Sequence, residues 1–423
     1  MAERNYAFRR ILNQVHRPDR RNPAATAQNA EAAIQTGWWL AVPQDASAYL
    51  VRVAQDLQDY LLVSMGVSVL LRRCRIAGVL AKSEPNAIVL GTAADLPKFG
   101  SGLTVPRSYR LVARKDAIVV CGRDERGVAQ GCYYLEDVMN LREAPFLPMA
   151  DTTRTPLFQP RMVHSGWGID QFPDPHLNAI AHAGMDAILV FVKGVNRTTM
   201  GYLDFNDLVD RAAAYGLDVY LYSYLHSSKH PRDPDAEAYY ETTYGDLMRS
   251  CPGAKGIVFV GESCEFPSRD ERTKMRTRRC PVPPGGEDDR RPFPGWWPCR
   301  DYPEWLDLIK QTIRRANPAC DIVFWTYNWG WAPAEERLAL IRNLPTDISL
   351  QVTFEMFESI RKEGIPTRCV DYTASFEGPG TYFRTEAAAA KEAGIRLYAM
   401  ANTAGLTWDI GVIPYEPIPY QWR

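Results

Sequence analysis

Carboxylates that follow apolar runs are the residues here most able to do chemistry. In GIVFVGESCEF (256–266) a run of Gly and apolar residues ends in Glu262, with Glu265 three positions on. DISLQVTFE (347–355) ends in Glu355, and DYTASFEGPG (371–380) carries Asp371 and Glu377. Two opposed carboxyls can cleave a glycosidic bond: one protonates the leaving oxygen, the other attacks the sugar or activates water. Aromatic residues gather in the same places. FWTYNWGW (324–331) supplies Trp325, Tyr327, Asn328 and Trp329, and RMVHSGW (161–167) supplies Arg161, His164 and Trp167. Tyr222, Tyr224 and His226 end a third run; Asn402 and Trp408 follow the last. Rings suit the CH faces of sugars, and Arg161 and His164 suit hydroxyls or a uronate. Each residue also has a plainer reading. Glu262 can be a structural carboxylate paired with Arg269, Glu265 a supporting one, Glu355 half of a salt bridge, and Glu377 and Asp371 solvent-facing or capping groups. His164 and His226 can be satisfied core histidines. Four aromatics in WTYNWGW (325–331) are too many for one strand to bury.

The elements that must position these groups alternate. After the Pro-rich RTPLFQPR (154–161), strands are expected at 161–167, 186–192, 217–226, 256–262, 321–329, 347–355 and 395–403, with a weaker one at 367–376. Amphipathic helices fall between them: DPHLNAIAHAG, LDFNDLVDRAAAYG, DAEAYYETTYGDLMRSC, YPEWLDLIKQTIRRAN, PAEERLALIRNL and YFRTEAAAAKEAG. Apolar strands alternating with helices make a parallel sheet covered by helices, here of (β/α)8 TIM-barrel type, and in such barrels the strand C-termini carry the site. The eighth unit is weak or unreached at Arg423, which suggests a chain cut short of its last βα unit.

Ahead of the barrel, strands are expected at 36–43, 68–74, 86–92, 108–115 and 117–123, and helices at 47–66 and 126–142. This predicts a small α/β sandwich over 37–153, behind a polar lead-in (1–36) with one or two short helices, and a barrel over 154–423.

Composition narrows the partners. A formal net charge of −1 gives no electrostatic reason to expect nucleic acid or an anionic membrane. No apolar window is long enough for a membrane span, and MAERNYAFRR lacks a signal-peptide core. Nine cysteines without a close CxxC pair suit reduced thiols, so a cytoplasmic location is expected. The spacing of Cys264, Cys280 and Cys299 matches no zinc pattern, and neither metal nor cofactor is expected. The long segment carrying these cysteines has the length of a functional lid.

The stretch RGVAQGCYYLEDVMNLREAPFLPMADTTRTPLFQPRMVHSGW (126–167) resembles the passage in glycoside hydrolases of the family 20 and family 67 type, where a helix leads through a D…P.F.PR segment into the first barrel strand. The resemblance covers residues 37–170 and implies a hexosaminidase- or α-glucuronidase-like N-terminal domain before a TIM barrel. It departs from family 20 at Gly261-Glu262-Ser263, where that family has a paired Asp-Glu, so the acetamido-assisted mechanism does not carry over. Family 67 places an acid glutamate after strand four and carboxylates after later strands, positions that Glu262, Glu355 and Glu377 or Asp371 match. GESCEFPSRD, FWTYNWGW, TFEMFE and GLTWDIGVIPYEP resemble motifs of a bacterial group of such proteins without an assigned substrate.

The expectation is a glycosidase acting on an oligosaccharide or glycoside. Glu262 is its general acid and Glu355, Glu377 or Asp371, in that order, its partner carboxylate. Oligomerisation is open. The rival readings are a non-catalytic carbohydrate-binding protein on a barrel scaffold, and another barrel hydrolase or lyase.

Overall fold

The computed structural model describes residues 14–81, 84–164, 171–261, 269, 299–327, 334–354, 356, 358–368 and 379–400. The chain forms two compact units. One comprises Met1–Val163, Phe172–Ala187 and Asp210–Asp218; the other comprises His164–Gln171, Ile188–Val209 and Val219–Arg423.

In the first unit, β1 (Glu31–Ala33) pairs antiparallel with β7 (Phe146–Pro148). The sheet proper contains β2 (Trp39–Pro43), β3 (Leu70–Cys74), β4 (Ala87–Thr92), β5 (Tyr109–Arg114), β6 (Ala117–Gly122) and β8 (Asp151–Arg154), ordered β3-β2-β4-β6-β5-β8. All five residues of β2 are buried, as an apolar strand covered on both faces requires. Trp39, Ala41, Val89, Val112 and Val119 pack with Ile76 and Val79 on one side. The helices Ala48–Val63 and Glu125–Arg142 pack against each other and against the sheet. Their starts are capped: Ser47 Oγ accepts from Leu50 N at 3.1 Å, and Asp124 Oδ1 accepts from Gly127 N at 2.8 Å. Gly131 lets the second helix lie close on the sheet, since a Cβ there would stand 2.4 Å from Val120 Cγ1.

Residues 1–13 of the lead-in lie outside the described residues. Among the described residues 14–36 there is no helix, and Glu31–Ala33 is a strand. Pairing with Phe146–Pro148 overrides the helix preference of its two alanines.

The second sheet is a curled parallel half-barrel of seven strands. These are β9 (Met162–His164), β10 (Ala187–Val192), β13 (Asp218–Ser223), β14 (Gly256–Val260), β15 (Asp321–Trp325), β16 (Ser349–Thr353) and β19 (Arg396–Met400), adjacent in that order. Two antiparallel ribbons interrupt the alternation: β11 (Arg197–Thr198) with β12 (Gly201–Tyr202), and β17 (Ser359–Lys362) with β18 (Ile365–Arg368). The weak strand expected at 367–376 therefore starts inside a ribbon, and its residues from 369 on lie outside the described ones. The helix expected over DAEAYYETTYGDLMRSC contains a π-turn at Glu241–Gly245 between Ala236–Tyr240 and Asp246–Ser250.

Alternation along the strands sorts the side chains. Phe259 and Phe324 meet helix residues: Phe259 lies 5.3 Å from Tyr244 and 5.5 Å from Trp305, and Phe324 lies 4.3 Å from Tyr302. At the strand starts, Asp321 accepts from Tyr220 OH at 3.1 Å, Tyr398 OH at 2.5 Å and Ser349 Oγ at 2.9 Å. Among the described residues no helix is long and apolar enough to cross a membrane.

Candidate active site

A run of rings links the ends of four strands of the half-barrel. His164, the last residue of β9, lies 4.6 Å from Phe191 on β10 and 5.0 Å from Tyr222 on β13, edge-on to both. Tyr224 continues the run, 5.1 Å from Phe191 and 5.2 Å from Tyr222, and its N–H donates to Val192 O at 2.9 Å. Tyr222 meets Trp325 at 5.9 Å, and Trp325 meets Tyr327 at 5.0 Å. These residues belong to the strand C-termini, where a barrel carries its chemistry. His164 is partly exposed, yet the packed rings withhold water from it, and this desolvation pushes its imidazole down to about 4. At neutral pH it is an uncharged ring with one donor and one acceptor, suited to a hydroxyl.

Other expected site residues fall differently. Trp325 is 1% exposed and its Nε1 donates to Thr353 Oγ1 at 3.0 Å, so its ring backs the cluster while Tyr327 is the partly exposed face. His226 is exposed, and its carbonyl accepts from Tyr239 OH at 3.0 Å. Arg161 has a carboxylate partner. It precedes β9 at the opposite strand end, where its Nε and Nη2 donate to Asp186, the residue before β10. The strand candidate 161–167 had its polar residues at both ends, and the structure assigns Arg161 to the lower one. Arg269, a candidate structural partner of Glu262, donates to Asp233. Glu262, Glu355, Glu377, Asp371, Trp167, Asn328, Trp329, Asn402 and Trp408 lie outside the described residues. In the sequence Glu262 and Glu355 each come two residues after a strand, β14 and β16 respectively.

Beneath the end of β15 sits a network the sequence reading missed. Glu386 is fully buried, accepting from Thr326 Oγ1 at 2.5 Å and from Arg337 Nη1 at 2.8 Å. Tyr382 OH donates to Thr326 O at 2.8 Å, and the Arg337 guanidinium lies 4.4 Å over the Tyr382 ring. Burial pushes the Glu386 carboxyl up, against the pull of Arg337 and its other hydrogen bonds. The network fixes Thr326, the residue between Trp325 and Tyr327. A signal existed: on helix Thr381–Ala393 the buried stripe Tyr382, Glu386, Ala389, Ala390 contains one carboxylate. A cavity of about 280 Å³ lies elsewhere, on the outer helices beside Cys299, Pro303, Glu336 and Leu340, and holds none of the strand-end rings.

No protein-family model matches the sequence, and no curated protein matches it. Solved structures do. A GH20 β-N-acetylhexosaminidase from Streptomyces coelicolor A3(2) superposes with a TM-score of 0.55 at 12% identity, over 95% of this chain and 84% of that one. The N-acetyl-β-hexosaminidase of Streptomyces plicatus, solved with Thio-NAglucal, gives 0.52 at 13% identity, over 84% and 79%. A GH138 enzyme targeting pectin rhamnogalacturonan II gives 0.52 at 11%, over 85% of this chain and 41% of that one. At such identities the likeness is one of architecture: the chain has a GH20-like α/β fold.

Proposed function

We propose that the chain is a glycoside hydrolase acting on an oligosaccharide or glycoside at the C-terminal end of the half-barrel. The observation that carries this reading is the strand-end run His164–Phe191–Tyr222–Tyr224–Trp325–Tyr327, on a fold shared with carbohydrate-active enzymes. The solved neighbours include complexes with a GlcNAc product, which favours a sugar as ligand here.

In this reading Glu262 protonates the glycosidic oxygen, and Glu355, Glu377 or Asp371, in that order, is the nucleophile or base. A carboxyl separation of about 5 Å would retain the anomeric configuration; about 6.5–9.5 Å would leave room for water and invert it. Neutral His164 holds a hydroxyl, and Tyr224 and Tyr327 offer ring faces to the sugar. Trp167, Asn328, Trp329, Asn402 and Trp408 are the further substrate-binding residues of this reading.

The test is hydrolysis of a panel of aryl glycosides and oligosaccharides by the wild-type chain and by Glu262→Gln. Loss of a general acid should cost about 10²–10⁴ in rate on substrates with poor leaving groups. Undiminished turnover in Glu262→Gln removes that residue from the role. Sugar binding without cleavage by the wild type turns the reading to a carbohydrate-binding protein.

A further inference from the structure

Four elements of the first unit bring two imidazoles and two carboxylates together. His16 comes from the lead-in, Asp56 from helix Ala48–Val63, Glu136 from helix Glu125–Arg142 and His182 from helix Asp174–His182. One ligand atom each from His16, Glu136 and His182 lies within 4.8 Å of the others. His182 Nε2 stands 2.8 Å from Asp56 Oδ2 and 3.3 Å from Glu136 Oε2, and His16 Nε2 stands 3.2 Å from Asp56 Oδ1. Glu136 is 4% exposed, and its Oε1 is buried without a hydrogen-bond partner among the described residues, as is His16 Nδ1.

We propose that His16, Glu136 and His182 bind a transition-metal dication such as Zn²⁺, with Asp56 orienting the imidazoles. The ring of His182 is already set for this. Its Nδ1 lies 2.8 Å from Asn178 O, the bond that fixes the tautomer and turns the Nε2 lone pair to the carboxylates. Asp56 is held in turn by Asn178 Nδ2 at 3.1 Å. The donor chemistry fits: nitrogen and carboxylate oxygen at about 2.0–2.2 Å are the usual ligands of Zn²⁺. A tetrahedral site with such bonds has ligand atoms about 3.4 Å apart, so the three would contract by about 1.4 Å at most. Charge fits as well. Two carboxylates and two neutral imidazoles balance one dication, which a buried site requires. Aromatic rings flank both imidazoles: Tyr133 lies 4.3 Å from the His182 ring and Tyr60 lies 5.6 Å from His16. Residues 16, 136 and 182 are too far apart in sequence to form a spacing motif.

The test is equilibrium dialysis of the chelator-stripped full chain against ZnCl₂ alone, with bound metal counted per chain, and Co²⁺ substitution read by its visible absorption. The wild type should retain one equivalent and melt higher when loaded. His182→Gln and His16→Gln should each lose it, and Asp56→Asn should weaken binding about 10–100-fold. Far-UV circular dichroism identifies a variant that has unfolded, and His16→Gln, in the lead-in, leaves all three helices intact. A wild type that retains no metal overturns the proposal. So does metal held equally by a folded His16→Gln chain, which would place it elsewhere. Glycoside hydrolysis plays no part in the readout.

Discussion

Arg161 grips Asp186 by two parallel hydrogen bonds, Nε to Oδ2 and Nη2 to Oδ1, each 3.0 Å, while its own N–H adds a third to Oδ2 at 2.9 Å. Asp186 is 1% exposed, so it relies on this fork and on Arg107 Nη1 at 3.4 Å. Removing one partner of a buried pair costs about 3–5 kcal/mol. Arg161→Ala should therefore lower the urea midpoint by several tenths of its value or more, measured by fluorescence. On any glycoside the wild type cleaves, KM should stay within about twofold, because this pair sits at the strand starts. A selective rise in KM with unchanged stability would return Arg161 to the substrate.

His164 gives a pH dependence whose sign follows from its surroundings. Its imidazole is held at about 4 in the folded chain, against about 6.5 when unfolded. Between those values the unfolded chain takes up a proton that the folded chain refuses, so stability is present above about pH 6.5 and drains as pH falls toward 4. Between pH 7 and pH 5 the loss should be about 1–2 kcal/mol. Other groups titrate in the same window, so the quantity to measure is the difference between wild type and His164→Phe. Identical pH profiles would mean the ring is not desolvated.

The Glu386–Arg337 pair should behave as a unit. Arg337→Met leaves a carboxylate buried without its cation and should cost about 3–5 kcal/mol. Adding Glu386→Leu removes the orphaned charge, and most of that loss should return. A double-mutant cycle by chemical denaturation checks it; simple additivity would show that the pair is not coupled.

Gly131→Ala sets two effects against each other. Alanine gains about 1 kcal/mol of helix propensity. Its Cβ, however, would stand 2.4 Å from Val120 Cγ1, a fully buried residue of β6, and 3.2 Å from the Tyr109 ring. Overpacking costs about 1–3 kcal/mol, so packing wins and the variant should melt several degrees lower. A rise in melting temperature would show that the helix can lift off the sheet without penalty.

The fold was legible where apolar periodicity was strong. AIVLGT, AIVVCG, AILVFV and GIVFV read as strands and are strands, because burial on both faces writes itself as an unbroken apolar run. Arg161 shows where that legibility stops. β9 is three residues long, and a strand that short does not reveal which of its flanking polar residues marks the upper end. Glu386 was hidden by the Ala-rich helix around it, and Phe191 looked like any core residue until His164 and Tyr224 were seen against it. The ribbon β17–β18 and the strand β1 depend on partners that local preference does not encode.

The first unit is not one stretch of chain: it takes in residues through Val163, then Phe172–Ala187, then Asp210–Asp218. During synthesis its sheet can pair once Arg154 has left the ribosome, but Arg126 and Arg107 must wait for Asp218, which they reach at 2.8 Å and 3.1 Å. Just over half of the polypeptide is thus made before this unit can finish. Vectorial folding favours neighbours already present, so a cut after residue 153 would release a piece lacking the acids its arginines need.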